Sequence, residues 1–288
     1  MNKFGRSWTL FNYSIWVLKK DKELFFYPII SLIVAIAFCF FSTLLFYSIT
    51  FIFFVSYEML AHIIIYFGTA FIFFVTGFIV TFFNASLIAA VLLRINGKNP
   101  NLKDGIKAAS KFKWQIFKYT LLNMTVGLII QLIASIFNKI PILSNLVYAL
   151  GIMAWSITNY FSLPLLVTRS DLEPFEVVTE SAKILKQTWG ETLIHNVGLG
   201  LIFLILYFLY GSVVFLSIPL FNIENVLPLI IIFLALLILL VVLQTALGAV
   251  LRACLFQYAI DNKQNSDASP FGNDPQIAKI FRHGFNKG

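Results

Sequence analysis

Six amides interrupt long apolar stretches of this chain: Asn84, Asn123, Gln131, Asn159, Asn196 and Gln244. An amide brings both donors and acceptors, and in an apolar setting these must find partners. The chemistry on offer is therefore hydrogen bonding, either between helices or to a polar solute passing between them. Asn84, Asn159 and Gln244 would form a ring near one end of the apolar stretches if their helices surround an axis. Pro164 lies close by and cannot donate a backbone hydrogen bond, which would free the carbonyl of Tyr160 as a further acceptor.

Groups suited to bond-making chemistry are scarce. No Asp, Glu, Lys or Arg lies deep within an apolar stretch, so no acid–base pair is placed to act there. His62 and His195 fall near the starts of stretches that open at opposite ends, and His283 belongs to the polar C-terminal segment. They cannot ligate one metal together. Cys39 and Cys254 should lie at different depths, so they are expected to pack rather than to pair. HExxH, GxSxG and Walker patterns do not occur. Gly198 and Gly200 suit close helix packing. The expectation is a protein that is not an enzyme, with no metal and no cofactor.

The elements that hold these residues follow from composition. The chain is 59% hydrophobic and 12% charged, with a mean hydropathy of +0.88. Too few polar residues remain to face water around so much apolar surface, so the chain belongs in a membrane. Charge-free runs cover 24–57, 59–93, 119–138, 140–168, 192–223 and 225–251. Each is long enough for a membrane helix, which needs about 20 residues. Helices are expected near 28–52, 61–92, 117–138, 143–167, 192–216 and 227–251. Continuous Leu, Ile and Phe runs argue against a barrel, whose strands alternate. The fold class is all-α, a polytopic transmembrane bundle of six spans.

Basic residues orient the spans. Of 21 Lys and Arg, all but Lys139 fall at the N-terminus, the C-terminus or the second–third and fourth–fifth connections. Lys and Arg favour the cytoplasmic side, so both termini are expected there, in a bacterial-type plasma membrane. The net charge of +8 is then the signature of orientation, facing anionic lipid, and not of nucleic-acid binding. Arg6, Arg94, Lys103, Lys107, Lys111, Arg169 and Arg252 are expected to anchor on lipid headgroups. A cleaved signal peptide is not expected, because the first apolar run starts near Leu24 and no small-residue cleavage pattern follows.

Three polar connections read as amphipathic helices. Phe4, Trp8, Phe11, Ile15 and Leu18 form one stripe at helical spacing, which predicts an interfacial helix within 1–27. Asp21 could cap the helix after it, and Pro28 suits that helix's first turn. Leu102, Ile106, Ala109, Phe112 and Ile116 form a second stripe, opposite Lys103, Lys107 and Lys111. In the third, Val177 or Val178, Ala182, Leu185 and Trp189 share a face, and Pro174 suits the first turn. Ala85/Ala89, Ser86/Ala90 and Thr245/Ala249/Ala253 are small-residue stripes that let helices approach closely. The membrane domain should cover 28–260. The tail, 261–288, is polar, broken by Pro and Gly, and expected to be disordered.

Asn84, Arg94 and Trp114 recur as Asn159, Arg169 and Trp189 at a constant offset, and VLQTALGAVLR gives a third ending at Arg252. A surface helix followed by two spans would repeat three times in parallel, over about 1–94, 95–169 and 170–252. Three segments together carry a resemblance: RSWTLFNYSIWVLKKDKELFFYPIIS, LIAAVLLRINGKNPNLKDGIKAA and LPLLVTRSDLEPFEVVTESAKILKQTWGE. Across roughly residues 3–262 the chain resembles an uncharacterised family of six-span prokaryotic membrane proteins. It is distantly similar to membrane domains found beside glycerophosphodiester phosphodiesterases. The resemblance implies architecture and localisation, and no activity. A non-enzymatic interaction or envelope-organising protein is the first expectation, its partners being membrane lipids, another protein or a second copy. The alternative is a small-molecule or lipid facilitator using a polar path near Asn84, Asn159 and Gln244.

Overall fold

The computed structural model describes residues 12, 14–54, 58–187, 189–217 and 226–264, with side chains at 12, 14–53, 59–186, 199–217 and 228–260. Among these the chain is helical, and no strand occurs. Helix α1 covers 14–20. A short 3-10 turn, Lys22–Phe25, leads into α2, Phe26–Phe54. Then come α3 (Glu58–Ile95), α4 (Leu102–Ser110), α5 (Lys113–Ser135), α6 (Pro141–Thr158), α7 (Ser162–Leu166), α8 (Pro174–Gln187), α9 (Trp189–Ser217) and α10 (Val226–Gln264). Six helical segments are long and apolar enough to cross a membrane: Lys22–Phe53, Met59–Ile95, Lys113–Ser135, Pro141–Thr158, Leu199–Ser217 and Pro228–Ile260. The chain is a multi-pass, all-α membrane protein.

The helix ends show how the sequence stops and restarts the chain. Helix α3 closes in a Schellman turn: Gly97 N–H donates to Arg94 O at 3.0 Å and Lys98 N–H to Leu93 O at 3.1 Å. Gly97 has φ 77°, a conformation that a Cβ would strain. Four residues on, Asn101 and Asp104 form a reciprocal capping box that starts α4. Helix α8 starts with Pro174, whose missing N–H costs nothing in a first turn, and Glu176 accepts the Glu173 N–H at 2.9 Å.

Two compact units emerge. One comprises 1–25, 91–99 and 186–288; the other comprises 26–90 and 100–185. In the first, α9 and α10 pack together, and the turn before α2 packs on α10. Its buried residues concentrate on Val17, Leu18 and Leu24 and on the C-terminal half of α10, where Ala253, Cys254, Leu255 and Phe256 are all inaccessible. In the second, α5 and α6 form an antiparallel pair. Burial there concentrates at the C-terminal end of α3, on α7 and on α8. Away from these clusters, Phe40 and Phe41 on α2 and Tyr66 and Phe67 on α3 are exposed in the second unit, as are Phe208 and Phe215 on α9 in the first. Apolar side chains can face outward there because hydrocarbon chains solvate them. The helices therefore pack tightly at these clusters and meet lipid along the rest.

The small residues pack as expected. Ala85, Ser86, Ala89 and Ala90 on α3, with Ala249 and Ala253 on α10, are buried, and Thr245 is half-buried. Gly105 shows why a small residue was needed on α4. A Cβ there would strike the Tyr27 hydroxyl and stand 2.7 Å from the backbone oxygen of Ser86.

Three expectations are corrected. The fourth span is not one helix over 143–167. Helix α6 ends at Thr158, and the chain restarts as α7 at Ser162. Pro164 could not continue a helix through Tyr160, because it lacks the N–H and its ring would crowd that carbonyl; in the first turn of a new helix it does neither. The buried faces of two surface helices coincide only in part with the expected stripes. On α1 the buried positions are Ser14, Val17 and Leu18, while Ile15 is half-buried; Phe4, Trp8 and Phe11 lie outside the described residues. On α8 the buried positions are Val177, Val178, Ser181, Ile184 and Leu185, while Ala182 is only half-buried. The faces turn to meet protein, which includes a serine that apolar periodicity alone passes over. Finally, Asp21 spends its carboxylate on an arginine and not on a helix cap. The polar segment 261–288 carries no described side chain, and only its first residues, to Gln264, fall within α10.

Candidate functional site

The interruption between α6 and α7 brings several polar groups together, from α5, α6, α7 and α8. Ending α6 at Thr158 leaves carbonyls without helical donors, and starting α7 leaves N–H groups without acceptors. Ser181, reaching from α8 and fully buried, meets one of each. Its hydroxyl donates to Thr158 O at 2.6 Å and accepts the Phe161 N–H at 3.0 Å. One side chain thus closes the break from both sides.

Asn159 occupies the break itself. Its Oδ1 accepts from the Tyr119 hydroxyl on α5 and from the Ser162 hydroxyl, each at 3.1 Å. Its Nδ2 donates to Trp155 O at 2.9 Å. Asn123 joins the same pair of helices one turn further along α5. Its Oδ1 accepts the Trp155 indole N–H at 2.8 Å, and its Nδ2 donates to Tyr119 O at 2.9 Å. Tyr119, Asn123, Trp155, Asn159 and Ser162 therefore form one connected set of donors and acceptors. The set is made of amides, hydroxyls and an indole, so it can orient or hold a polar group by hydrogen bonding.

The other amides are placed differently. Gln244 on α10 accepts the Tyr207 hydroxyl from α9 at 2.6 Å, within the other unit. Asn84 is half-buried on α3. Asn196 falls within α9, and its side chain lies outside the described residues. Gln131 departs from expectation: it is exposed near the end of α5. A long side chain so close to a helix end can carry its amide to the headgroup level.

The basic residues also divide. Arg94 is largely covered, and its Nε lies 2.7 Å from Asp21 Oδ2 in a contact that is ionic rather than a well-aligned hydrogen bond. Its guanidinium also donates to Asn99 Oδ1. Burial raises the Asp21 carboxyl above the ordinary carboxylate range, and the charge of Arg94 offsets part of that rise. Arg169 is exposed and makes two parallel bonds to Asp171, each 2.9 Å, which hold the Asp171 carboxyl down at about 2. Lys103, Lys107 and Lys111 are all exposed. Arg252 is half-buried on α10, and Arg6 lies outside the described residues. Of the histidines, His62 is exposed, and no cluster of His, Cys, Asp or Glu suited to a metal occurs among the described residues.

Residues 64–266 match the Family of unknown function (DUF6159). The chain belongs to this family. No curated protein and no solved structure matches the chain. The matched region runs from α3 through α10, so the α6–α7 interruption, Ser181 and the contacts of Asn123, Asn159 and Gln244 all fall inside the family's extent.

Sequence reading picked out Asn123, Asn159 and Gln244 but not their partners. Tyr119, Trp155 and Tyr207 look like ordinary interface aromatics in a chain that is 17% aromatic. Ser181 carried one usable signal, its position four residues after Val177 on a helix whose apolar face it shares.

Proposed function

We propose that this chain is a non-enzymatic protein of the plasma membrane, acting through the surfaces it presents to lipid and to other proteins. The observation that carries the reading is where its polar groups are spent. Asn123, Asn159 and Gln244 bond to Trp155, Tyr119 and Tyr207 of neighbouring helices, and Arg94 is engaged by Asp21. Exposed charge is carried by the amphipathic helices, with Lys103 and Lys107 on α4 and Glu176, Lys183 and Lys186 on α8. Both termini and these two helices are cytoplasmic in this reading, because that side collects 20 of the 21 basic residues. A short helix precedes two long apolar ones three times along the chain, which supports a parallel repeat. The test is native mass spectrometry of protein extracted gently from its own membrane. A second copy or another protein retained across several detergents is the expected result. A bare monomer throughout overturns it.

One observation favours a second reading, a facilitator. A helix interrupted inside a membrane protein often lines a solute site, and here Asn159 and Ser162 meet at such an interruption. Proteoliposome swelling in glycerol, sugars and amino acids would test it. Solute entry lost in Asn159→Leu, with melting unchanged, supports a facilitator. Entry no faster than in empty vesicles removes it.

A further inference from the structure

We propose that α4 is a fixed platform for the headgroups of anionic phospholipids. This deepens the surface-acting reading above and rests on it. Lys103 and Lys107 on α4 and Lys111 at its C-cap, still in helical conformation, recur every fourth residue and are all exposed, and exposed Lys113 follows at the start of α5. Residues four apart lie on one helix face, so the three lysines form a stripe.

The stripe cannot roll away from where it points, because the opposite face is pinned. Gly105 and Ala109 are buried. The Tyr27 hydroxyl donates to Leu102 O at 3.0 Å. The Ser86 carbonyl sits so close to Gly105 that no side chain fits between them. Both ends of the segment Asn101–Asp104 are tied in the capping box, where the Asp104 carboxylate accepts the Asn101 N–H at 2.9 Å. Asp104 is the one acid on α4, and its carboxylate is engaged by the Asn101 N–H.

Position selects the partner. Lys113, three residues after α4 ends, opens a segment fit to cross the membrane. Trp114 in its first turn is 60% exposed and stacks on Phe117 with ring centres 5.0 Å apart. Exposed tryptophan at the start of a span marks headgroup depth. A rigid row of ammonium groups at that depth is complementary to phosphate-bearing lipid, and each such lysine favours an anionic surface by roughly fivefold.

The test uses the full chain in bilayers of phosphatidylcholine with a minor share of phosphatidylglycerol. Spin-labelled forms of the two lipids report which one is held in the motionally restricted shell. The expected result is at least about twofold enrichment of the phosphatidylglycerol label at low salt, shrinking as salt screens the charges. K103Q/K107Q/K111Q should lose more than half of that enrichment. K103R/K107R/K111R should keep it, and so should K183Q/K186Q on α8. Enrichment unchanged in the glutamine triple overturns the platform. So does an equal loss in K183Q/K186Q, which would mean diffuse charge, and so does displacement by inorganic phosphate at constant ionic strength, which would mean a free-phosphate site. Should the glutamine triple melt early, the arginine triple decides: loss of enrichment there overturns the proposal. Retention of a protein partner in mass spectrometry is a separate readout, so failure of the platform and failure of the broader reading can be told apart.

Discussion

Ser181 holds two backbone groups that no helix satisfies, Thr158 O and the Phe161 N–H. Removing its hydroxyl leaves both buried without that partner, and an unmade buried hydrogen bond costs about 1–3 kcal/mol. Ser181→Ala is therefore expected to lower the melting temperature in detergent by several degrees. Ser110→Ala is the comparison: its hydroxyl only returns to Ile106 O within its own helix, at 2.7 Å, and its loss should be near neutral. Equal melting of the two variants would show that the α6–α7 break is satisfied in some other way. Asp21 gives a second test at this scale, through pH. Its carboxyl is raised by burial, so the folded state prefers it protonated. Stability from this group is full below the ordinary carboxylate pKa of about 3.9 and declines as pH rises through the raised value. Asp21→Asn should flatten that decline in melting curves taken between about pH 4 and pH 7. Arg94→Gln should move it to higher pH, because Arg94 supplies the largest opposing pull. Asp171 has the opposite sign, lending stability that is lost as pH falls toward 2, and its exposure keeps that contribution small.

Helices α5 and α6 are joined across their length by small and polar contacts. The Asn123–Trp155 and Asn159–Tyr119 bonds lie toward one end, and the Ser144 hydroxyl donates to Ala134 O at 2.9 Å near the connecting turn. Gly151 lets Ile130 seat against the α6 backbone. Hydrogen bonds between membrane helices average about 0.6 kcal/mol and reach about 1.7. A double-mutant cycle of Asn123→Leu and Trp155→Phe should return a coupling within that range, measured by unfolding in mixed micelles. A coupling of zero would mean that apolar packing alone joins the pair. Much of this scale was open to sequence reading. The apolar runs located all six long helices, and the Pro174 start of α8 fell where expected. The division of the fourth run was not legible, because Pro164 is compatible with a kink, a break or a restart. What decides among them is whether another element brings a donor and an acceptor to the gap, and Ser181 lies 20 residues from Phe161.

For the whole molecule, the six candidate spans among the described residues carry a testable expectation, that successive connections alternate between the two faces of the membrane. Cysteine introduced at Lys107 and at Lys139 should react with a membrane-impermeant maleimide from opposite faces of sealed vesicles. Labelling of both from the same face would remove the six-span topology. Within each unit, burial gathers where a short helix turns its inner face to protein, α1 in the first and α4 and α8 in the second. The exposed apolar stretches are solvated by lipid and need few protein neighbours. The sequence by itself determined class and span count, since hydropathy and helix length are local quantities that a bilayer of fixed thickness reads directly. It determined the amphipathic nature of the short helices for the same reason. Only the tertiary structure decided which face each of them buries, that Asp21 answers Arg94, and that Gly105 makes room for Tyr27. Those are contacts between residues far apart in the chain, and residue spacing along one helix says nothing about what another helix brings to meet it.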